Sequence, residues 1–266
     1  MNNLVIFIHI NKSAGTFVKS YVNCCVGQEQ WKVVQTESEN EEFNNMPNKN
    51  NLNGIGGHIY PYRVKGTLQI EKPYTYITSL REPVDRALSV YYFSQSAYLY
   101  KKDKKAISSE EMKDEMFYSD ILKATEAMST PQGFREYNII AKSFVNGQTR
   151  WLGGNWNTDE PNLEQAIDFI ETSVSYICLD TEMKNMENGL SNRFKWEEPP
   201  LGLRIHRPNA NAVRKTKPAP TAELKEKIEK LNELDIQLYK YVSENIERLN
   251  SRPIIWIDPN NKDRKW

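Results

Sequence analysis

The segment Asn11-Lys-Ser-Ala-Gly-Thr16 follows directly on a β-branched and aromatic run, Leu4-Val-Ile-Phe-Ile-His-Ile10. A strand that passes through a small-residue turn into a helix offers an anion backbone N–H groups and the partial positive charge of a helix start. Lys12 adds a full charge, Thr16 a hydroxyl, and Gly15 either an unusual backbone angle or a close approach. The order is not that of the ATP- and GTP-binding loop, Gly-x-x-x-x-Gly-Lys-Ser/Thr, because Lys12 precedes the glycine. Kinase or nucleoside triphosphatase chemistry is therefore disfavoured. On spacing alone, an ordinary strand-to-helix turn fits equally well.

A second candidate is Ser79-Leu-Arg-Glu-Pro-Val-Asp-Arg-Ala-Leu-Ser-Val-Tyr-Tyr92. Arg81 stands at the carboxyl end of an expected strand, where ligands of open α/β sheets collect. Ser89 follows about two helical turns later. An arginine fork and a hydroxyl suit a terminal phosphate monoester; the plainer alternative pairs Arg81 with Glu82 or Asp85. The chain has three histidines, His9, His58 and His206. His58 follows two glycines, and an imidazole with a pKa near 6.5 can accept a proton at neutral pH. His9 lies inside the first strand and reads as a packed residue. Neither paired cysteines nor a His/carboxylate cluster offers a metal ligand set, so no metal is expected.

These residues need a scaffold. Expected strands cover 4–10, 74–80 and 174–179, each followed by a helix: about 16–24, 83–98, and one ending near 193. Further helical segments are expected at 116–128, 131–145 and 163–172. A long amphipathic helix is expected over 221–249 (Leu224, Ile228, Leu231, Leu234, Leu238). Residues 36–53, rich in Asn and Glu, read as a surface loop. Residues 101–115 read as a solvated charged stretch, and 199–200 and 204–220 as loops. Alternating strands and helices predict an α/β fold with a mostly parallel central sheet flanked by helices, in one domain over 1–266.

Lys and Arg total 35 and Asp and Glu total 35. Zero net charge excludes general affinity for nucleic acid or anionic membrane, so any anion site must be locally concentrated. No apolar run reaches the roughly 18 residues that span a bilayer. The apolar start lacks a basic leader and a cleavage site, and Cys24, Cys25 and Cys178 cannot build a disulfide framework. A soluble, cytoplasmic globular protein is expected, with its oligomeric state unread.

His9-Ile-Asn-Lys-Ser-Ala-Gly-Thr16 resembles the donor-binding loop of sulfotransferases that use 3′-phosphoadenosine-5′-phosphosulfate (PAPS). Leu80-Arg-Glu-Pro-Val-Asp-Arg-Ala-Leu-Ser-Val-Tyr-Tyr92 is similar to the 3′-phosphate motif of that family. Gly57-His58 with Tyr60-Pro61-Tyr62, and Asn146-Gly-Gln-Thr-Arg-Trp-Leu-Gly-Gly154, resemble segments of the branch that contains heparan sulfate 2-O-sulfotransferases. Arg204 to Lys217 and Leu238-Tyr239 resemble its C-terminal end. Two departures stand out: Asn11 occupies a place that is commonly Pro, and Ala14 replaces a frequent Gly.

The resemblance implies a P-loop-like three-layer fold and a sulfuryl transfer from PAPS, leaving PAP (3′-phosphoadenosine-5′-phosphate) as product. Lys12, Ser13, Ala14, Gly15, Thr16 and Phe17 would hold the 5′-phosphosulfate. Arg81 and Ser89 would hold the 3′-phosphate, and Arg214, Lys215 and Lys217 would close over the donor. Lys12 would also be catalytic, with His58 as base. Tyr60, Tyr62, Gln148, Arg150 and Trp151 are candidate acceptor-binding residues, with Trp156 nearby. The expected acceptor is a small molecule, a natural product undergoing tailoring, sulfated on a hydroxyl or on an amine or carbamoyl nitrogen. The alternatives are a glycan O-sulfotransferase and a nucleotide-binding protein that has lost the chemistry.

Overall fold

Strand β1 (Leu4–Ile8) is apolar at every position, so both of its faces must be covered. In the computed structural model, which describes residues 3–61, 64, 67–104, 115–153, 160–197 and 219–261, β1 is the central strand of a five-stranded parallel sheet. The other strands are β2 (Trp31–Val33), β3 (Gly54–Gly57), β4 (Tyr74–Leu80) and β5 (Val174–Leu179). Their order is β2-β3-β1-β4-β5. Ile6 pairs with Ile55 on one side and Tyr76 on the other.

Alternation along β1 divides the core. Val5 and Phe7 face α1 (Gly15–Val26) and a later helix, Met183–Phe194, packing with Val18, Tyr21, Val22 and Leu190. Leu4, Ile6 and Ile8 face the opposite layer, which includes Phe43, Trp151, Phe169, Leu238 and Val242. A third cluster lies off the sheet. It joins α3 (Pro83–Asp103) to the short helices at Glu115–Ser119, Ile121–Met128 and Asn138–Phe144, and to the helix Ala222–Leu231. The three-layer α/β architecture matches the sequence expectation, and the described sheet is wholly parallel.

Five local expectations need correction. Residues 36–53 are not a loop: α2 (Glu37–Asn45) starts at a reciprocal capping box between Thr36 and Glu39, and Phe43 anchors it in the core. Strands β2 and β3 lie where no strand was expected. Residues 116–128 and 131–145 each form two short helices: Glu115–Ser119 and Ile121–Met128 either side of Asp120, and Pro131–Glu136 and Asn138–Phe144 meeting at Tyr137. The C-terminal helix is also two, Ala222–Leu231 and α12 (Glu233–Ser251), interrupted at Asn232. The buried Asn232 amide donates to the Ile228 carbonyl and accepts from the Asn146 N–H, competing with continuous helix. The stretch 105–114 and the expected loops at 199–200 and 204–218 lie outside the described residues.

From β1 the chain runs outward to β2 and returns through β3. From β4 it runs the other way to β5. The carboxyl ends of β1 and β4, adjacent and paired along Leu4–Ile8, therefore flank the point where the winding reverses. That is where an open parallel sheet leaves a crevice.

Candidate active site

A cleft of about 1350 Å³ opens at this reversal, lined by Asn11, Lys12, Ala14, Gly15, Thr16 and Phe17 from the turn after β1 and the start of α1, by Arg81 just after β4, and by Asp85 and Ser89 of α3. The two candidate motifs thus share one cavity, which is larger than the roughly 300–1,000 Å³ of an ordinary ligand pocket.

The first turn is tightly wound. Lys12 (φ 65°) and Ala14 (φ 60°) are both left-handed, a conformation that costs L-residues about 1–2 kcal/mol each. Ala14 therefore occupies a backbone position that favours glycine. α1 begins at Gly15 with no side-chain cap and no acidic residue in its first turn. Its leading amides are left for an anion. The Lys12 ammonium lies 4.3 Å from the centroid of the Phe93 ring. Burial, and then the nearby Arg81 guanidinium, lower its pKa; a bound anion would oppose both effects.

The second turn is built differently. The Glu82 side chain accepts from the Val84 and Asp85 N–H groups, so the start of α3 is already capped. The positive charge here belongs to Arg81. Its guanidinium is 3.3 Å from Asp85, 3.9 Å from Asp180, and donates to the Lys12 carbonyl at 3.5 Å. The two turns therefore touch.

His58 lies just beyond β3 and also lines the cleft. Its Nδ1 is 2.7 Å from the His9 carbonyl oxygen. A carbonyl only accepts, so the neutral ring carries its proton on Nδ1 and keeps the Nε2 lone pair free. Burial lowers the His58 pKa, the bond to His9 opposes that shift, and Lys19 adds to it. The ring is neutral at pH 7. It stacks on His9 at 4.6 Å and meets the edge of Trp151 at 5.7 Å.

His9 lines the cleft as well, which sequence reading did not foresee. Burial chiefly, followed by His58, Lys19 and Lys12, lowers its pKa to about 3. The ring rests against Gly15: a Cβ there would lie 2.0 Å from His9 Cδ2. Gly15 thus serves close approach and not an unusual backbone angle. By contrast, Gly54 and Gly56 of β3 accommodate the Trp31 ring.

The lining also holds an apolar set, Val90, Phe93, Ala97 and Tyr98 of α3 with Ile139 and Ile140, interspersed with Ser94, Lys101, Glu136 and Asn138. Phe93 is 59% exposed and Ile139 82%, an expense of apolar surface that a ligand would relieve.

Several expected acceptor residues are placed elsewhere. Gln148, Arg150 and Trp151 lie on the short helix α8 (Gly147–Leu152), which is buried throughout. None of the three lines the cleft. Trp151 donates to the Ile59 carbonyl at 3.1 Å and stacks on the buried Tyr60 at 4.2 Å. The pair supports His58 from within the core. Arg150 lies 5.4 Å from the Phe134 ring centroid. Their aromatic and polar types suggested a binding wall, but helical packing on the sheet accounts for them. Ser13 is also buried, donating to Gln148 Oε1 at 3.3 Å. Tyr62, Trp156, His206, Arg214, Lys215 and Lys217 lie outside the described residues.

Asp180 was missed, although its place was readable: it directly follows β5, as Arg81 follows β4. It accepts from Tyr239 at 2.9 Å and from the Glu82 N–H at 3.3 Å. No group of three or more potential metal ligands occurs among the described residues, and no described helix is long and apolar enough to cross a membrane.

No curated protein matches this sequence significantly. A family model described as "Sulfotransferase family" matches residues 2–242, which include both turns of the cleft, His58 and the buried helix beneath them. The chain belongs to the sulfotransferase family.

Proposed function

We propose that this sulfotransferase moves a sulfuryl group from PAPS to a hydroxyl of a small acceptor by in-line displacement. The observation that carries the reading is the convergence of two cationic turns and a neutral histidine on one cleft. The uncapped start of α1, with Lys12 and Thr16, suits the 5′-phosphosulfate. Arg81 and Ser89 suit the 3′-phosphate. The partner a phosphate would displace from Arg81 is Asp85, whose side chain is 61% exposed and returns to solvent, while the 10% exposed Arg81 side chain keeps a paired charge.

In the transfer, the acceptor oxygen forms a bond to sulfur and the bond from sulfur to the phosphate oxygen breaks. The acceptor proton passes to His58 Nε2, and the departing phosphate retains the electron pair. Lys12 stabilises the charge that grows on that oxygen. Positioning and charge compensation suffice, as in phosphoryl transfer. The apolar wall of Phe93 and Ile139 supports an acceptor with an apolar body over a polyanionic glycan.

Two measurements test this. Calorimetric titration should show PAP binding well above ATP. Incubation of the protein and PAPS with acceptor pools should yield products heavier by one sulfuryl group on mass spectrometry. ATP binding equal to PAP, or PAP binding with no product from a broad acceptor panel, would overturn it; the second outcome would favour a nucleotide-binding protein without the chemistry.

A further inference from the structure

A buried amide joins the two turns. Gln148 Oε1 accepts from the Arg81 N–H at 2.8 Å and from Ser13 Oγ at 3.3 Å, while Nε2 donates to the Arg81 carbonyl at 3.0 Å. The side chain is fully buried and does not line the cleft, so it holds the walls without touching their contents.

Gln148 is itself held from below. Asp235 of α12 accepts from the Gln148 N–H at 3.1 Å and from the Thr149 N–H at 2.7 Å. Its carboxylate also pairs at 3.1 Å with the wholly buried Arg86, which lies on α3 between Arg81 and Ser89. Asn146, left-handed at φ 48°, accepts from the Leu234 and Asp235 N–H groups and fixes α8 to α12. The links through Gln148, Asp235 and Arg86 are buried hydrogen bonds in a low-dielectric interior. There a satisfied network specifies one arrangement, and a broken one leaves buried polar groups exposed to loss.

We infer that Gln148 is a positioning residue that sets the separation of the two anion-binding turns and so lets the protein select a nucleotide phosphorylated at both the 3′ and 5′ positions. The inference rests on the donor reading above. Two of its three bonds hold the Arg81 backbone, and only the long one holds Ser13. Its loss therefore falls mainly on the 3′-phosphate side. The backbone of Arg81 is what aims the guanidinium; without the clamp, the side chain keeps its charge and loses its fixed origin.

The test compares binding of PAP with binding of adenosine 5′-monophosphate, which lacks the 3′-phosphate. It uses the full-length protein and its Gln148→Met and Thr149→Val variants, each checked for folding by circular dichroism and thermal melting. Gln148→Met conserves volume and removes all three hydrogen bonds. It is expected to weaken PAP binding by about tenfold, the scale of one to two buried hydrogen bonds, and adenosine monophosphate binding by less than about threefold. Thr149→Val, whose buried hydroxyl has no hydrogen-bond partner among the described residues, is expected to leave both affinities unchanged. Should Gln148→Met fail to fold, Gln148→Glu carries the test, because it sets an oxygen against the Arg81 carbonyl in place of the donating nitrogen. Equal losses for both ligands would mean a structural role only, and unchanged affinities would mean no role; either overturns the inference. Wild-type protein with no preference for PAP would overturn the donor reading and this inference with it. A preference that persists without Gln148 overturns this inference alone.

Discussion

Replacing Gly15 by alanine separates the demands of folding from those of the site. The added methyl would fall 2.0 Å from His9 Cδ2, 2.5 Å from Nε2 and 2.9 Å from Cγ. All three atoms belong to one ring, so the ring must withdraw by about 1.5 Å to reach ordinary contact near 3.5 Å. Overpacking of this kind costs about 1–3 kcal/mol. Alanine returns about 1 kcal/mol, because position 15 is helical with no positive φ. Net destabilisation is therefore about 0–2 kcal/mol, a fall in Tm of no more than about 8 °C for a chain of this size. The site loses more. The His9 ring stacks on His58 and the His9 carbonyl fixes the His58 tautomer, while Gly15 opens the uncapped helix proposed to meet the donor's 5′ end. Misplacement near 1 Å can reduce turnover by about a hundredfold, so a loss of tenfold to a hundredfold is expected, with weaker PAP binding. Thermal melts, PAP calorimetry and steady-state turnover measure the three effects. The Gly15→Ala/His9→Ala double variant removes the obstructing ring and should regain PAP affinity. A Gly15→Ala protein with wild-type turnover would refute the steric argument, as would a folded double variant that binds PAP no better than Gly15→Ala.

Other perturbations follow from the same geometry. Lys12→Ala should lower turnover at saturating PAPS by about a hundredfold or more, the scale of one lost oxyanion donor; near-normal turnover would remove Lys12 from the chemistry. His9, with its pKa lowered to about 3, stays neutral in the fold while the unfolded chain takes up a proton below about 6.5. Its contribution is intact above pH 6.5 and is lost as pH falls toward 3, by up to about 1.4 kcal/mol per pH unit. Denaturant titrations of His9→Asn should show a flatter acid limb, with His58 and the carboxylates held low by their partners, Glu171 above all, supplying the remaining slope. Asp235→Ala strands a wholly buried Arg86 and should cost about 3–5 kcal/mol in chemical denaturation. Adding Arg86→Leu should then cost less than the two single changes summed. Ala14→Gly relieves a left-handed alanine and should gain up to about 1 kcal/mol in thermal or denaturant unfolding, less the flexibility glycine adds to the unfolded chain.

The central strands and the two turns that line the cleft were legible because their signals are local. Leu4–Ile8, Tyr74–Leu80 and Val174–Leu179 are apolar runs of strand length, and the chemistry-bearing residues follow two of them directly. β3 was hidden because Gly54-Ile-Gly-Gly57 has little strand propensity of its own. It is a strand because Trp31 covers the glycines and β1 pairs alongside. α2 could have been found from Thr36 and Glu39, which show the capping-box spacing, but polar composition outweighed that signal. Gln148 stands out as part of a distinctive segment and reads as an acceptor contact; the fold buries it on α8, outside the cleft lining. Type and spacing show that a glutamine matters; only the tertiary fold shows whether it faces the cleft or the interior. His9 is packed, as its strand position implied, stacking on Phe7 and His58, but it also lines the cleft, which nothing in the sequence around it signals.

The two turns of the cleft differ in construction, and the proposed reaction gives a reason. The turn after β1 presents uncapped helix amides and a half-buried lysine that rests on Phe93. The turn after β4 caps its own helix with Glu82, and leaves binding to Arg81, held by carboxylates and by the Gln148 clamp. Charge at the 5′ end changes during sulfuryl transfer, as the bridging oxygen becomes a phosphate oxygen. A lysine is a compact charge on a flexible stem that can follow such a change. Fixed amides there already point toward the developing charge and need no reorganisation. Charge at the 3′ end does not change, so a rigid planar fork on a clamped backbone loses nothing by being immobile. Exchanging the two cations tests this division of labour. Lys12→Arg should impair turnover more than PAP affinity, and Arg81→Lys should impair PAP affinity more than turnover at saturation. Parallel losses in both variants would show that the two turns act as one undifferentiated cationic surface.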